Sequence, residues 1–153
     1  MPIEVTSLGL YELGPVPPLE EAVAVAKAAG LDLSGHRARP LKGERLAEMD
    51  LVLGFERIHL AAAVVDAGAP RERSFTLPEL VELLDSVEAP DAGDPAARAR
   101  EAIRAAHALR DGLPPPPFLP EIADPWGASS HVFEATGRRV LELSRRLVVG
   151  LFG

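Results

Sequence analysis

Few residues in this chain of 153 combine a reactive side chain with a telling context. Asp124-Pro125-Trp126-Gly127 puts a carboxyl group on a loop stiffened by proline. Such a carboxyl can act as a general acid if the loop holds it over a leaving group. The plainer reading is a turn aspartate ahead of a helix. His36 lies beside Arg37 and Arg39 in the loop Ser34–Leu41. Backbone N–H groups and arginines together favour an anion there, while the plainer reading is a loop histidine satisfied by backbone hydrogen bonds. His59, His107 and His131 have no partners at metal-ligand spacing, so each reads as a helix-surface or helix-start residue and no metal is expected. Ser129 and Ser130 look like helix caps, since no oxyanion or elbow motif surrounds them. No glycine-rich phosphate loop of the Walker or Rossmann type is present, and no cofactor is expected. The chain contains no cysteine. That excludes disulfides, thiolate metal sites and cysteine nucleophiles, and gives no sign of an oxidising compartment.

The elements that must position these groups alternate along the chain. Ile3–Ser7 is a short β-type run that ends in a turn at Gly9. A proline-rich loop follows, then an alanine-rich helix over Leu19–Ala29, with Glu20 and Glu21 in its first turn and Gly30 as its stop. Asp50–Phe55 is almost wholly apolar after its first residue, as a strand buried on both faces of a parallel sheet would be. Glu56–Asp66 reads as a helix, Arg73–Thr76 as a short strand and Pro78–Ser86 as a short helix. This alternation predicts an α/β fold with a parallel sheet, whose ligand site lies beyond the carboxyl ends of the strands, near Ser7, Phe55 and Thr76.

Downstream, Asp94-Pro95 suits the start of a helix running to about Arg110, with Arg98, Arg100 and Arg104 on a solvated face. Four consecutive prolines within Leu113–Pro120 read as a short polyproline spacer. In the last helix, after Ser129 or Ser130, Phe133, Thr136, Val140, Leu143 and Leu147 share a face that should dock on the sheet. Glu134 with Arg138, and Glu142 with Arg146, are four apart and should pair.

Composition narrows the classes further. Apolar residues are 47% and charged residues 25%, the mixture of a folded globular chain. A net charge of −7 disfavours a phosphate-backbone footprint, so no nucleic acid is expected. No apolar run reaches the length of a membrane span and no secretory signal precedes the first strand, so the expected setting is cytoplasmic, away from membranes. There is no internal repeat and no second domain.

Several of these pieces together resemble the low-molecular-weight protein tyrosine phosphatases. Glu4–Gly9 is similar to the family's second strand and the turn after it. Gly30–Arg39 is close to a family signature and is the most specific stretch. Asp50–His59 resembles the third strand and the turn into its helix, and Asp124-Pro125-Trp126-Gly127 matches the family's Asp-Pro-aromatic loop. The pieces occur in family order across a single domain, residues 1–153, with the stretch at about 88–120 resembling an insertion.

The resemblance implies a three-layer α/β fold, a short parallel sheet flanked by helices. It also implies a gap. The family's first, central strand, its Cys-x5-Arg phosphate loop and its first helix have no counterpart in this sequence. In the family the loop's cysteine thiolate attacks a phosphomonoester, so neither nucleophile nor loop arginine can be inherited here. What carries over is the other side of the site. Asp124 matches the general acid; Trp126, Phe55 and, more loosely, Leu13 match the walls that accept an aromatic ring; Ser7 and His36 match the groups that support the phosphate loop. The expected function is therefore that of a phosphatase-family domain inactive as it stands, or a non-catalytic module binding a phosphorylated aryl group or a protein. A sheet without its central strand is also expected to seek a partner, a second copy included.

Overall fold

The computed structural model describes residues 3–11, 14–88, 93–114 and 118–153. Its elements run α1 (Glu20–Ala28), β1 (Val52–Gly54), α2 (Arg57–Val65), a 3-10 turn (Arg71–Arg73), β2 (Ser74–Thr76), α3 (Leu77–Leu84), α4 (Pro95–Gly112) and α5 (Ser130–Phe152). β1 and β2 pair in parallel, Val52 with Ser74, Leu53 with Phe75 and Gly54 with Thr76. With α2 as the crossover, they form one βαβ unit of an α/β fold, the class expected from the alternation.

The packing centre is the β2–α3 junction. Phe75, Leu80 and Val81 are fully buried, and α3 is buried at every position but Glu82 because other elements surround it. One cluster joins Phe75, Leu80, Leu83 and Leu84 to Ala99, Ala102, Ile103 and Ala106 of α4 and to Leu151 of α5. The small alanines let α4 lie close to α3. Gly150 does the same for α5: a Cβ added there would meet the Leu84 Cβ at 3.0 Å. A second cluster holds Leu77, Val81, Ile122 and Leu143. A third lies on the other side of the sheet, where Leu8, Leu10 and Val52 pack with Ala62 and Val64 against Leu41, Leu46, Ala63, Ala67 and Ala69.

Start and stop residues act locally as their chemistry dictates. Asp94 Oδ2 accepts the Ala97 N–H at 2.9 Å, with Pro95 opening α4. Thr76 Oγ1 accepts the Glu79 N–H at 3.2 Å while Glu79 Oε2 accepts the Thr76 N–H at 3.1 Å, a reciprocal cap on α3. Gly30 and Gly68 take positive φ after α1 and α2.

Five expectations need correcting. Ile3–Ser7 forms no strand: among the described residues the only bridge nearby is Gly9 with Pro40, and Val5 is 84% exposed. A β-type run without a neighbouring ladder gains nothing from its propensity. β1 is not buried on both faces, because Leu53 remains 39% exposed. α5 packs on α3, α4 and α1, so its apolar face meets helices rather than the sheet. Arg98 is not on a solvated face; its guanidinium donates to the Phe152 carbonyl at 3.2 Å and ties α4 to the end of α5. Arg146 pairs with Asp85 instead of Glu142, whereas Glu134 and Arg138 do meet, at 3.7 Å.

Candidate functional site

The segment 119–127 crosses the carboxyl ends of both strands, and hydrogen bonds at residues 120, 121, 122 and 124 hold it there. The Thr76 hydroxyl, just after β2, donates to the Pro120 carbonyl at 2.7 Å. Glu121 Oε1 accepts the Arg57 N–H at 2.6 Å, at the start of α2. The Ile122 N–H donates to the Phe55 carbonyl at 2.8 Å, and the Ile122 side chain is buried among Leu77, Val81 and Leu143. Glu56 Oε1 accepts the Asp124 N–H at 3.2 Å. The expected place for a ligand, beyond the strand ends, is thus where this loop lies.

Gly54 lets the chain turn sharply out of β1. An added Cβ would sit 3.1 Å from both the His59 Cβ and a Leu60 methyl, and 3.2 Å from the Glu56 carbonyl. His59 sits at the start of α2, as expected, and its Nδ1 accepts the Glu56 N–H at 3.1 Å. This bond fixes the backbone of Glu56, whose carboxylate holds Asp124.

Asp124 and Phe55 are therefore brought to one lip. Asp124 is exposed, and its Oδ1 accepts the Trp126 N–H at 3.0 Å, an Asx turn completed by Gly127 at φ +77°. Trp126 is 76% exposed and Phe55 45%, so two aromatic rings stand open to solvent on the loop and turn that hold the carboxylate. Chemically the lip offers a proton donor or acceptor beside apolar rings.

Ser7 and His36 belong to a different group of segments. The Gly9 N–H donates to the Arg39 carbonyl and the Leu41 N–H to the Gly9 carbonyl, both at 2.8 Å. Arg39 also reaches Thr6 Oγ1 at 3.1 Å and Glu44 at 2.7 Å. Both Ser7 and His36 are exposed, and among the described residues neither the Ser7 hydroxyl nor the His36 ring makes a hydrogen bond. In this loop Asp32 Oδ1 accepts the Ser34 N–H at 2.8 Å, which holds its carboxyl below the usual carboxylate range. Leu13 lies outside the described residues.

A cleft of about 660 Å³ opens elsewhere, between α2 and the carboxyl end of α4, and includes none of the expected site residues. At its side lies the half-buried Arg110, which sequence reasoning missed. Its guanidinium donates to the Ser74 and Arg71 carbonyls at 2.8 and 2.9 Å, faces Glu79 at 3.8 Å and sits 4.1 Å over the Phe75 ring. Burial lowers its pKa, opposed by the Glu79 charge. An arginine in a run of helix arginines carries no mark of this role. The groups that position Asp124 were also missed, and of them only Thr76-x-x-Glu79 carries a readable pattern, a capping box.

Among the described residues no helix is long and apolar enough to cross a membrane. No curated protein matches this sequence. A crystal structure of a low molecular weight protein tyrosine phosphatase from T. tengcongensis matches with a TM-score of 0.65 and 25% identity, covering 95% of this chain and 76% of that one. The family model for low molecular weight phosphotyrosine protein phosphatase matches residues 1–110, a stretch that includes the Gly30–Arg39 loop and the β1 turn and ends before Asp124. By that match over most of its length, the chain belongs to the low molecular weight phosphotyrosine protein phosphatase family.

Proposed function

We propose that this chain carries the acid side of a phosphomonoesterase site and does not hydrolyse phosphomonoesters by itself. The observation that carries the reading is the lip built on Phe55 and Glu56, where the 119–127 segment is fastened across both strand ends and carries Asp124 and Trp126. In this reading Asp124 protonates the leaving oxygen, and Phe55 and Trp126 flank its aromatic ring. Ser7 and His36 supply support groups for a phosphate loop, consistent with their unused polar atoms. The covalent step needs a thiolate, and the sequence has no cysteine. General acid assistance alone contributes roughly 10²–10⁴-fold. A cytoplasmic setting belongs to the same reading.

The experiment has two arms. The purified chain should release no p-nitrophenol from p-nitrophenyl phosphate above buffer; turnover that vanishes in Asp124→Ala overturns the inactivity. Fusing a family-type strand, Cys-x5-Arg loop and helix ahead of Pro2 should create aryl phosphatase activity. In that fusion Asp124→Asn should slow poor leaving groups most, because they need the proton in the transition state. A fusion that folds and binds phosphate yet stays inactive moves the reading to a binding module. The exposed Trp126 and Phe55 favour that second reading, since apolar rings in solvent suit a docking surface as well as a substrate cleft.

A further inference from the structure

We propose that two copies of this chain associate by strand exchange, Ile3–Ser7 of each lying parallel along the open edge of β1 in the other. The proposal is independent of any phosphatase chemistry. Three observations carry it.

The first is an acceptor. β2 pairs with one edge of β1, and among the described residues nothing pairs with the other. A bare edge presents backbone donors and acceptors that an added strand satisfies. Leu53 and Phe55 stand partly exposed along it.

The second is a donor with matching chemistry. Ile3-Glu4-Val5-Thr6-Ser7 alternates as a strand does, yet among the described residues its backbone joins no ladder, with Ile3 61% and Val5 84% exposed. Its neighbours Leu8 and Leu10 anchor it by packing against the α2 side of the fold, so the run projects from a fixed base.

The third is charge, and it sets the direction. Among the described residues Arg37 hydrogen-bonds only to the Ser34 and His36 carbonyls and meets no carboxylate. Its loop travels with the donor, through Gly9, Pro40 and Arg39. On the acceptor, Asp50 at the entry to β1 is already satisfied by Arg100 at 2.8 Å, whereas Asp124 beyond the exit has no cation among the described residues. Parallel docking brings the loop of Arg37 to the exit end, where the unmatched carboxylate is. Antiparallel docking would bring it to the neutralised end. Reciprocal exchange makes the contact twice across a two-fold axis, which a single three-residue edge could not do.

The test is sedimentation equilibrium of the full chain. A dimer is expected at tens of micromolar. Val5→Pro removes a ladder donor at a site exposed in the monomer and should weaken dimerisation at least tenfold, with helical circular dichroism unchanged. Arg37→Glu should weaken it too, and Arg37→Glu combined with Asp124→Arg should restore it. A wild-type chain that stays monomeric overturns the proposal. So does a dimer indifferent to Val5→Pro, which would rest on another face. Failure of the double variant to recover association overturns the parallel direction.

Discussion

The two strands of this protein have opposite surroundings. β2 is buried at all three positions, Ser74, Phe75 and Thr76. Arg110 binds the Ser74 carbonyl and the Thr76 hydroxyl binds Pro120, so its polar groups are used. β1, one hydrogen-bonded ladder away, leaves Leu53 in contact with solvent and one edge unpaired among the described residues. The strands have the same length, and the buried one, Ser74-Phe75-Thr76, is the more polar in sequence. What differs is the company: α3, α4 and α5 close around β2, while only the α2 side closes on β1. Burial in a sheet is thus a property of what packs on the strand, and strand composition alone does not reveal it.

Stability measurements sharpen this contrast. Phe75→Ala should be the costliest change, about 3–5 kcal/mol in urea unfolding, because it empties a site with no exposure. Val5→Ala, measured below the concentration of association, should stay within about 0.5 kcal/mol. Equal losses at the two positions would mean that the open region is as closely packed as the closed one. Arg110→Met comes next, at about 2–3 kcal/mol, since it leaves Glu79 without its cation and two carbonyls without donors. Gly150→Ala should cost about 1–2 kcal/mol, provided Leu84 cannot yield to the new methyl group. The smallest effect belongs to Asp50, whose carboxyl the Arg100 hydrogen bond holds below its usual range. A lowered folded pKa adds stability above the unfolded value that is lost as pH falls through the lowered one. Arg100→Ala should therefore reduce stability slightly near neutrality and flatten its fall on acidification; both groups are exposed, so the change should be smaller than the others.

The local parts of this architecture were legible in the sequence. Gly30, Gly68 and Asp94-Pro95 mark helix ends because the physics of those ends involves only neighbouring residues. The strand in Asp50–Phe55 was recognisable as an apolar run and that in Arg73–Thr76 from its place in the alternation, and the parallel-sheet rule put the candidate site beyond their ends, where Asp124 lies. The failures involve distance along the chain. Nothing near Glu56 announces that its carboxylate will hold an amide 68 positions away. Arg110 looks like Arg100 and Arg104 until α4 is laid against β2. Ile3–Ser7 has strand propensity, but a strand is a relation between two segments, and no described segment lies in ladder beside it.

The βαβ unit also has an order of assembly. Its two strands pair 22 positions apart, bridged by α2. A ladder of such short span closes early, since little loop entropy opposes it. During synthesis, however, residues 3–7 emerge before either strand exists. For as long as the ribosome takes to deliver residue 76, that β-type run is free, with its hydrogen-bonding groups unclaimed. Chains growing side by side on one message would hold such runs close together at high local concentration, so partner choice can be made before folding ends.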